Sequence, residues 1–144
     1  MSKALFALLL SAALFCIPAQ AEQKQQVGDF AIHYIALSST FLTPNIAKTY
    51  GIKRSRYTGL VNIAVLDTAQ QGSPAVPVEL SGIARNLLDT RTELDFREIR
   101  EGKAIYYIAE VPYRHDEDIH FQIAVKYGKQ LNTILKFKQQ FYVD

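Results

Sequence analysis

The chain has 144 residues, 49% hydrophobic and 21% charged, with 16 Lys and Arg against 14 Asp and Glu, one Cys and no Trp. A near-neutral balance and a normal apolar fraction exclude a disordered polyelectrolyte and a protein that coats nucleic acid by charge alone. The length supports one ordinary domain and leaves no room for a second.

Residues 1–21 read as a secretory signal peptide. Lys3 is the basic start, Ala4 to Ile17 is an apolar run, Pro18 breaks it, and Ala19-Gln20-Ala21 has the small-x-small form of a cleavage site. At ~1.5 Å per residue the run spans about 21 Å, short of a ~30 Å bilayer core, so a membrane anchor is disfavoured. Phe15 before Cys16 does not suit a lipidation signal. Cleavage after Ala21 leaves 123 of the 144 residues as one domain, 22–144. Cys16 departs with the signal, so disulfides, thiolate catalysis and cysteine metal sites are excluded from the mature chain. The expected address is the periplasm, with no stable membrane insertion after processing and no nucleic-acid partner.

In the mature chain the apolar residues alternate with period two, and seven strands are expected. The first runs from Val27 to Leu37. The second, Tyr57 to Asp67, turns Val61, Ile63 and Val65 to one face. Between them, Thr43 as N-cap, Pro44 at the first helical position and Gly51 as terminator predict one helical turn over 44–50. The third strand is Val76 to Leu87. The fourth, Thr92 to Arg100, leads through a Glu101-Gly102 hairpin into the fifth, Lys103 to Val111, which is apolar on both faces and should be central. In the sixth, Ile119 to Tyr127, Ile119, Phe121, Ile123 and Val125 oppose His120, Gln122 and Lys126. After Gly128-Lys129 the seventh strand points Leu135, Phe137, Phe141 and Val143 inward. The expected fold is all-β, a seven-stranded antiparallel immunoglobulin-like β-sandwich with a single helical turn.

Two segments concentrate chemistry. Lys48 to Tyr57 packs four cations and two tyrosines into ten residues. Arg forms paired hydrogen bonds to carboxylate or phosphate and Tyr adds a flat apolar surface. Tyr50, Lys53, Arg54, Arg56 and Tyr57, joined by Arg97 and Arg100, are therefore the expected contact surface for a periplasmic protein or an anionic envelope component. The competing reading is that the tyrosines pack the end of the core and the cations stay in water. In the second segment, His115, Asp116, Asp118 and His120 offer weak metal-ligand candidates, although the spacing matches no established motif and a solvated hairpin tip has the same composition.

No cofactor is expected. The serines lie in no G-x-S-x-G or S-x-x-K context, His33 reads as a packed strand residue, and there is no phosphate-binding glycine loop or HExxH. The alternating charges of Arg97 to Glu101 suit cross-strand pairing, and nothing in the sequence makes Glu98 converge with Asp95 or Glu110 as an acid–base pair. The expected function is a non-catalytic binding or interaction module. A small metal-dependent envelope protein or enzyme using 115–120 is the alternative.

Several stretches carry a family resemblance: Asp29-Phe30 with His33-Tyr34, Tyr50-Gly51-Ile52 with Arg54-Ser55 and Tyr57, and Gly59-Leu60-Val61-Asn62-Ile63. Phe96-Arg97-Glu98-Ile99-Arg100-Glu101-Gly102, Ala104-Ile105-Tyr106-Tyr107-Ile108-Ala109 and the ending Phe141-Tyr142-Val143-Asp144 continue it. The chain resembles the domain-of-unknown-function 4426 family of small exported bacterial proteins. The resemblance implies an exported, compact β domain and carries no activity, substrate or catalytic residue.

Overall fold

A computed structural model describes residues 23–143. The segment assigned to a signal peptide lies outside the described residues. Nine strands appear, all pairing antiparallel: β1 (Gln23–Val27), β2 (Phe30–Ser38), β3 (Thr58–Asp67), β4 (Glu79–Arg85), β5 (Arg91–Leu94), β6 (Arg97–Glu101), β7 (Ala104–Pro112), β8 (Glu117–Tyr127) and β9 (Leu131–Phe141). They form a five-stranded sheet in the order β1-β2-β3-β7-β6 and a four-stranded sheet in the order β5-β4-β8-β9.

The expectation of seven strands is corrected to nine at two places. The Gln-rich stretch Gln23–Val27 has no apolar alternation, yet it pairs along β2 through a turn at Gly28, whose φ is +56°. It is held by backbone hydrogen bonds to an edge, a contact that leaves no trace in hydropathy. The expected fourth strand is two strands in different sheets. β5 ladders with β4, and after Asp95-Phe96 the chain crosses to ladder with β7 as β6. Leu94 and Phe96 both contribute to the same core, so the period of two runs through the crossing without a break.

One hydrophobic cluster draws on both sheets: Ile32, Val61, Ile63 and Val65 from one, and Phe121, Ile123, Val125 and Leu135 from the other, all at most 2% exposed. Each such side chain stabilises the fold by about 1.5–3 kcal/mol relative to exposure. The alternation read for β8 and β9 holds along both strands, with Ile119, Phe121, Ile123, Val125, Leu135 and Phe141 buried and Phe137 half-buried, while Val143, expected on the last strand, lies past its end.

β7 is interior, between β3 and β6, and buries Ile105, Tyr107, Ala109 and Val111 on one face and Ile108 on the other. Its second face meets a smaller cluster of Ala47, Ile52, Leu60 and Ile108, with Ile99 and Tyr50 at its border. The helix that supplies it, α1 (Pro44–Thr49), starts as expected: Thr43 Oγ1 accepts the Ile46 N–H at 3.3 Å and Gly51 follows at φ +69°. Six residues are too few for a helix to persist alone, so α1 is held by its docking on the outer face of the five-stranded sheet.

Candidate functional site

Register puts one set of loops at a single end of the domain. Ser38 and Gly59 are opposite each other, Thr58 faces Pro112, Arg85 faces His120, and Glu117 faces Phe141. The connections 39–57, 86–90 and 113–116 and the residues after β9 therefore emerge together. Gly28, Gly72 and Gly128, all with positive φ, make turns at the other end.

At the loop end Tyr113 is 4% exposed and stacks on Phe141, with ring centroids 4.6 Å apart. Its hydroxyl lies 3.1 Å from Ser38 Oγ and 3.3 Å from the Tyr142 carbonyl. Two grooves flank it. One, of 440 Å³, is lined by Tyr57, Leu88, Val111, Tyr113, Arg114 and Ile119, among others. The other, of 460 Å³, includes Ser38, Phe41, Arg56, Tyr113, Gln139 and Tyr142. Around these grooves Phe41, Tyr57, Leu87, Leu88 and Tyr142 are 52–84% exposed. They are five of the seven large apolar side chains exposed among the described residues.

The long 39–57 connection is tied at its base. Ser39, with 0% exposure, donates through Oγ to the Ser55 carbonyl and accepts the Ser55 N–H, both at 2.9 Å. This closes the loop on itself and aims residues 53–57 outward. Arg54 Nη2 donates to the Thr40 carbonyl at 3.0 Å. Among the described residues neither Lys53, Arg54 nor Arg56 has a carboxylate within ion-pair distance.

The seven expected contact residues do not form one surface. Lys53, Arg54, Arg56 and Tyr57 stand at the loop end. Tyr50, Arg97 and Arg100 serve internal contacts elsewhere. Arg97 Nη1 donates to the carbonyls of Tyr50 and Gly51 at 3.2 and 3.1 Å, capping the end of α1, while Nη2 is 3.6 Å from Glu110 Oε2. The Tyr50 hydroxyl donates to Glu101, and that hydrogen bond, followed by burial, raises the phenol above its ordinary pKa. Arg100 pairs with Glu98 at 2.5 Å, which holds the Glu98 carboxyl below its usual range and the Arg100 guanidinium above its own. Glu98 also accepts from the Tyr107 hydroxyl at 3.3 Å, and Tyr107 Oη accepts the Val78 N–H at 2.9 Å. Burial, first among its causes, raises the Tyr107 phenol. Sequence spacing placed these charges on strands, but only the docking of α1 and the pairing of β6 with β7 gave them internal partners.

The metal candidates are also dispersed. His115 Nδ1 accepts the Val143 N–H at 2.9 Å, and Asp116 Oδ1 accepts from Gln140 Nε2 at 2.6 Å. His120 lies on the outer face of β8, opposite Arg85 and Lys138. Among the described residues no group of three or more His, Cys, Asp or Glu is placed to hold a metal ion.

Sequence reasoning gave the 86–90 hairpin loop no functional role. Asn86 builds it: its Oδ1 accepts the Leu88 and Thr90 N–H groups at 3.0 and 2.9 Å, and its Nδ2 donates to Glu117 Oε1 at 2.7 Å. Glu117 Oε2 in turn accepts the Arg114 N–H at 2.6 Å, joining this loop to the 113–116 loop. Two leucines inside an Asn–Asp turn were the available signal.

A profile of a domain of unknown function, DUF4426, matches residues 24–144. The chain belongs to that family. A DUF4426 family protein from Pseudomonas aeruginosa PAO1, known from its crystal structure, is 31% identical with a TM-score of 0.75, covering 87% of this chain and 98% of that one. FetP of uropathogenic Escherichia coli strain F11, expressed recombinantly in the periplasm, superposes with a TM-score of 0.59 over 85% of this chain and 94% of its own at 8% identity. A copper-bound FetP variant gives the same TM-score over 84% and 95%. At 8% identity the likeness shows the fold alone. No curated protein matches the chain. No helix among the described residues is long and apolar enough to cross a membrane.

Proposed function

We propose that this DUF4426 protein is an exported periplasmic binding module without catalysis, an immunoglobulin-like β-sandwich that makes contact through its loop end. One observation carries this reading: Phe41, Tyr57, Leu88 and Tyr142 stand exposed along two grooves that share Tyr113, with exposed Leu87 next to Leu88 in the chain. Clustered exposed apolar residues on a rigid scaffold favour a contact role, and Arg54 and Arg56 at its border favour an anionic partner. The signal-like residues 1–21 support export.

The test is site-specific photo-crosslinking in cells. A photoreactive residue at Tyr57 or Tyr142 should give adducts, and one at Gln71, at the opposite end, should not. Equal labelling at both ends, or none at either, overturns the reading. The fold shared with copper-bound FetP motivates the metal-dependent alternative through His115, Asp116, Asp118 and His120. The engagement of His115 and Asp116 in hydrogen bonds within the chain weighs against it. A thermal-shift titration with Cu²⁺ and Zn²⁺ separates the two readings, a large metal-dependent rise favouring the alternative.

A further inference from the structure

The geometry points to an anionic phospholipid leaflet as the partner of the loop end, with Leu87 and Leu88 entering the interface and Arg91, Arg85 and Lys138 beneath them meeting lipid phosphates. This inference rests on the binding-module reading and gives its contact a chemical class.

Register aligns Arg91, Arg85, His120 and Lys138 directly across β5, β4, β8 and β9, on the outer face of the four-stranded sheet. At ~4.8 Å between strands the row is about 14 Å long. Like charges opposite one another in a sheet oppose folding, so the Arg85–Arg91 pair, with Lys138 in the same row, favours an external anion. Asp89 bridges part of it, lying 3.6 Å from Arg85 Nε and 3.7 Å from Arg91 Nε. Glu93 and Asp118 stand two residues along the same face from Arg91 and His120. Lys138 and its neighbour on that face, Lys136, have no carboxylate within ion-pair distance among the described residues.

The row ends where the leucines begin. Arg85 closes β4 and Arg91 opens β5, and between them Leu87 and Leu88 are 74% and 84% exposed. The loop is not a collapsed segment that happened to expose two side chains. Asn86 accepts two of its N–H groups, Asp89 takes φ +62°, and Glu117 anchors Asn86 from a neighbouring strand. A prearranged tip loses little conformational freedom on contact. The leucines sit in the turn beyond both arginines, placed to enter the headgroup and acyl boundary that interfacial apolar side chains occupy to a depth of ~5–10 Å. Tyr57, Tyr142 and Phe41 at the same end have the amphipathic or aromatic character favoured at that boundary. A flat acidic protein surface would satisfy the cations but would give the two leucines no apolar environment.

The experiment uses the mature chain and vesicles of phosphatidylethanolamine with phosphatidylglycerol, against vesicles of phosphatidylcholine alone. Co-sedimentation is expected with the anionic vesicles, weakening as salt rises to about 0.5 M. The double variants Leu87→Ser/Leu88→Ser and Arg85→Gln/Arg91→Gln should each weaken binding at least about tenfold with the fold retained, since Leu87, Leu88 and Arg91 are exposed and Arg85 lies on the outer sheet face. Because the chain has no Trp, Leu88→Trp provides a sole reporter whose emission should shift to the blue on anionic vesicles. An unshifted Leu88→Trp spectrum at saturating lipid, or full binding by the Leu87→Ser/Leu88→Ser variant, overturns the inference. Protein adducts from Tyr57 and Tyr142 alongside either result would keep the binding module and remove only the membrane.

Discussion

Replacing Ser39 with Ala removes the tie that closes the 39–57 connection. The Ser39 hydroxyl exchanges two hydrogen bonds with the backbone of Ser55 from a site with no solvent exposure. Each bond contributes about 1 kcal/mol net, and leaving a buried backbone group unpaired costs about 1–3 kcal/mol. Ser55 is only half-buried, so water can reach part of what is exposed, and the expected loss is about 2 kcal/mol. For a domain of this size that lowers Tm by roughly 6–10 °C. Urea unfolding gives the global figure, and hydrogen exchange at the Ser55 amide gives the local one, where protection should fall about thirtyfold. Ser81→Ala, at an exposed strand position, is the control and should stay within about 0.5 kcal/mol of the parent. A Ser39→Ala protein that matches this control, with the Ser55 amide still protected, would refute the argument that this hydroxyl positions Arg54, Arg56 and Tyr57.

Two further outcomes test the packing and the hydrogen-bonded phenols. A Cβ at Gly59 would lie 2.7 Å from Phe141 Cε1 and 3.2 Å from Val111 Cγ1, so Gly59→Ala should destabilise by about 1–3 kcal/mol in urea melts. Combining it with Phe141→Leu should lose less than the sum of the single changes, and strict additivity would count against the clash. Tyr107 and Tyr50 titrate higher in the folded protein than the ordinary 10.0, the first mainly through burial and the second mainly through its bond to Glu101. The folded state therefore favours the protonated phenols. Their contribution is complete below pH 10.0 and is lost as pH rises from there through the higher folded values. Urea melts between about pH 9 and pH 11 should show a falling stability that Tyr107→Phe and Tyr50→Phe each flatten, and parallel profiles would contradict the assignment.

Much of the architecture was legible because a half-buried strand records its environment every second residue. β8 and β9 were readable along both strands for that reason, as was the interior position of β7 from its two apolar faces. The helical turn announced itself through Thr43, Pro44 and Gly51, whose effects are local. The edge strand β1 and the break at Asp95-Phe96 were not legible. Backbone pairing has no hydropathy, and a crossing between sheets that share a core does not disturb the alternation of Leu94 with Phe96.

The site divides along the same line. The run of cations and tyrosines from Lys48 to Tyr57 was visible, because charge and aromaticity are properties of single residues. Which of them remain available was decided by contacts distant in the chain: Arg97 reaches back 46 residues to Gly51, and Glu101 takes the Tyr50 hydroxyl. The sequence by itself determined an all-β chain and the family to which it belongs. Only tertiary pairing brought Arg91, Arg85, His120 and Lys138 into one row beside two exposed leucines, because strand register, unlike periodicity, depends on which segments meet and at what offset.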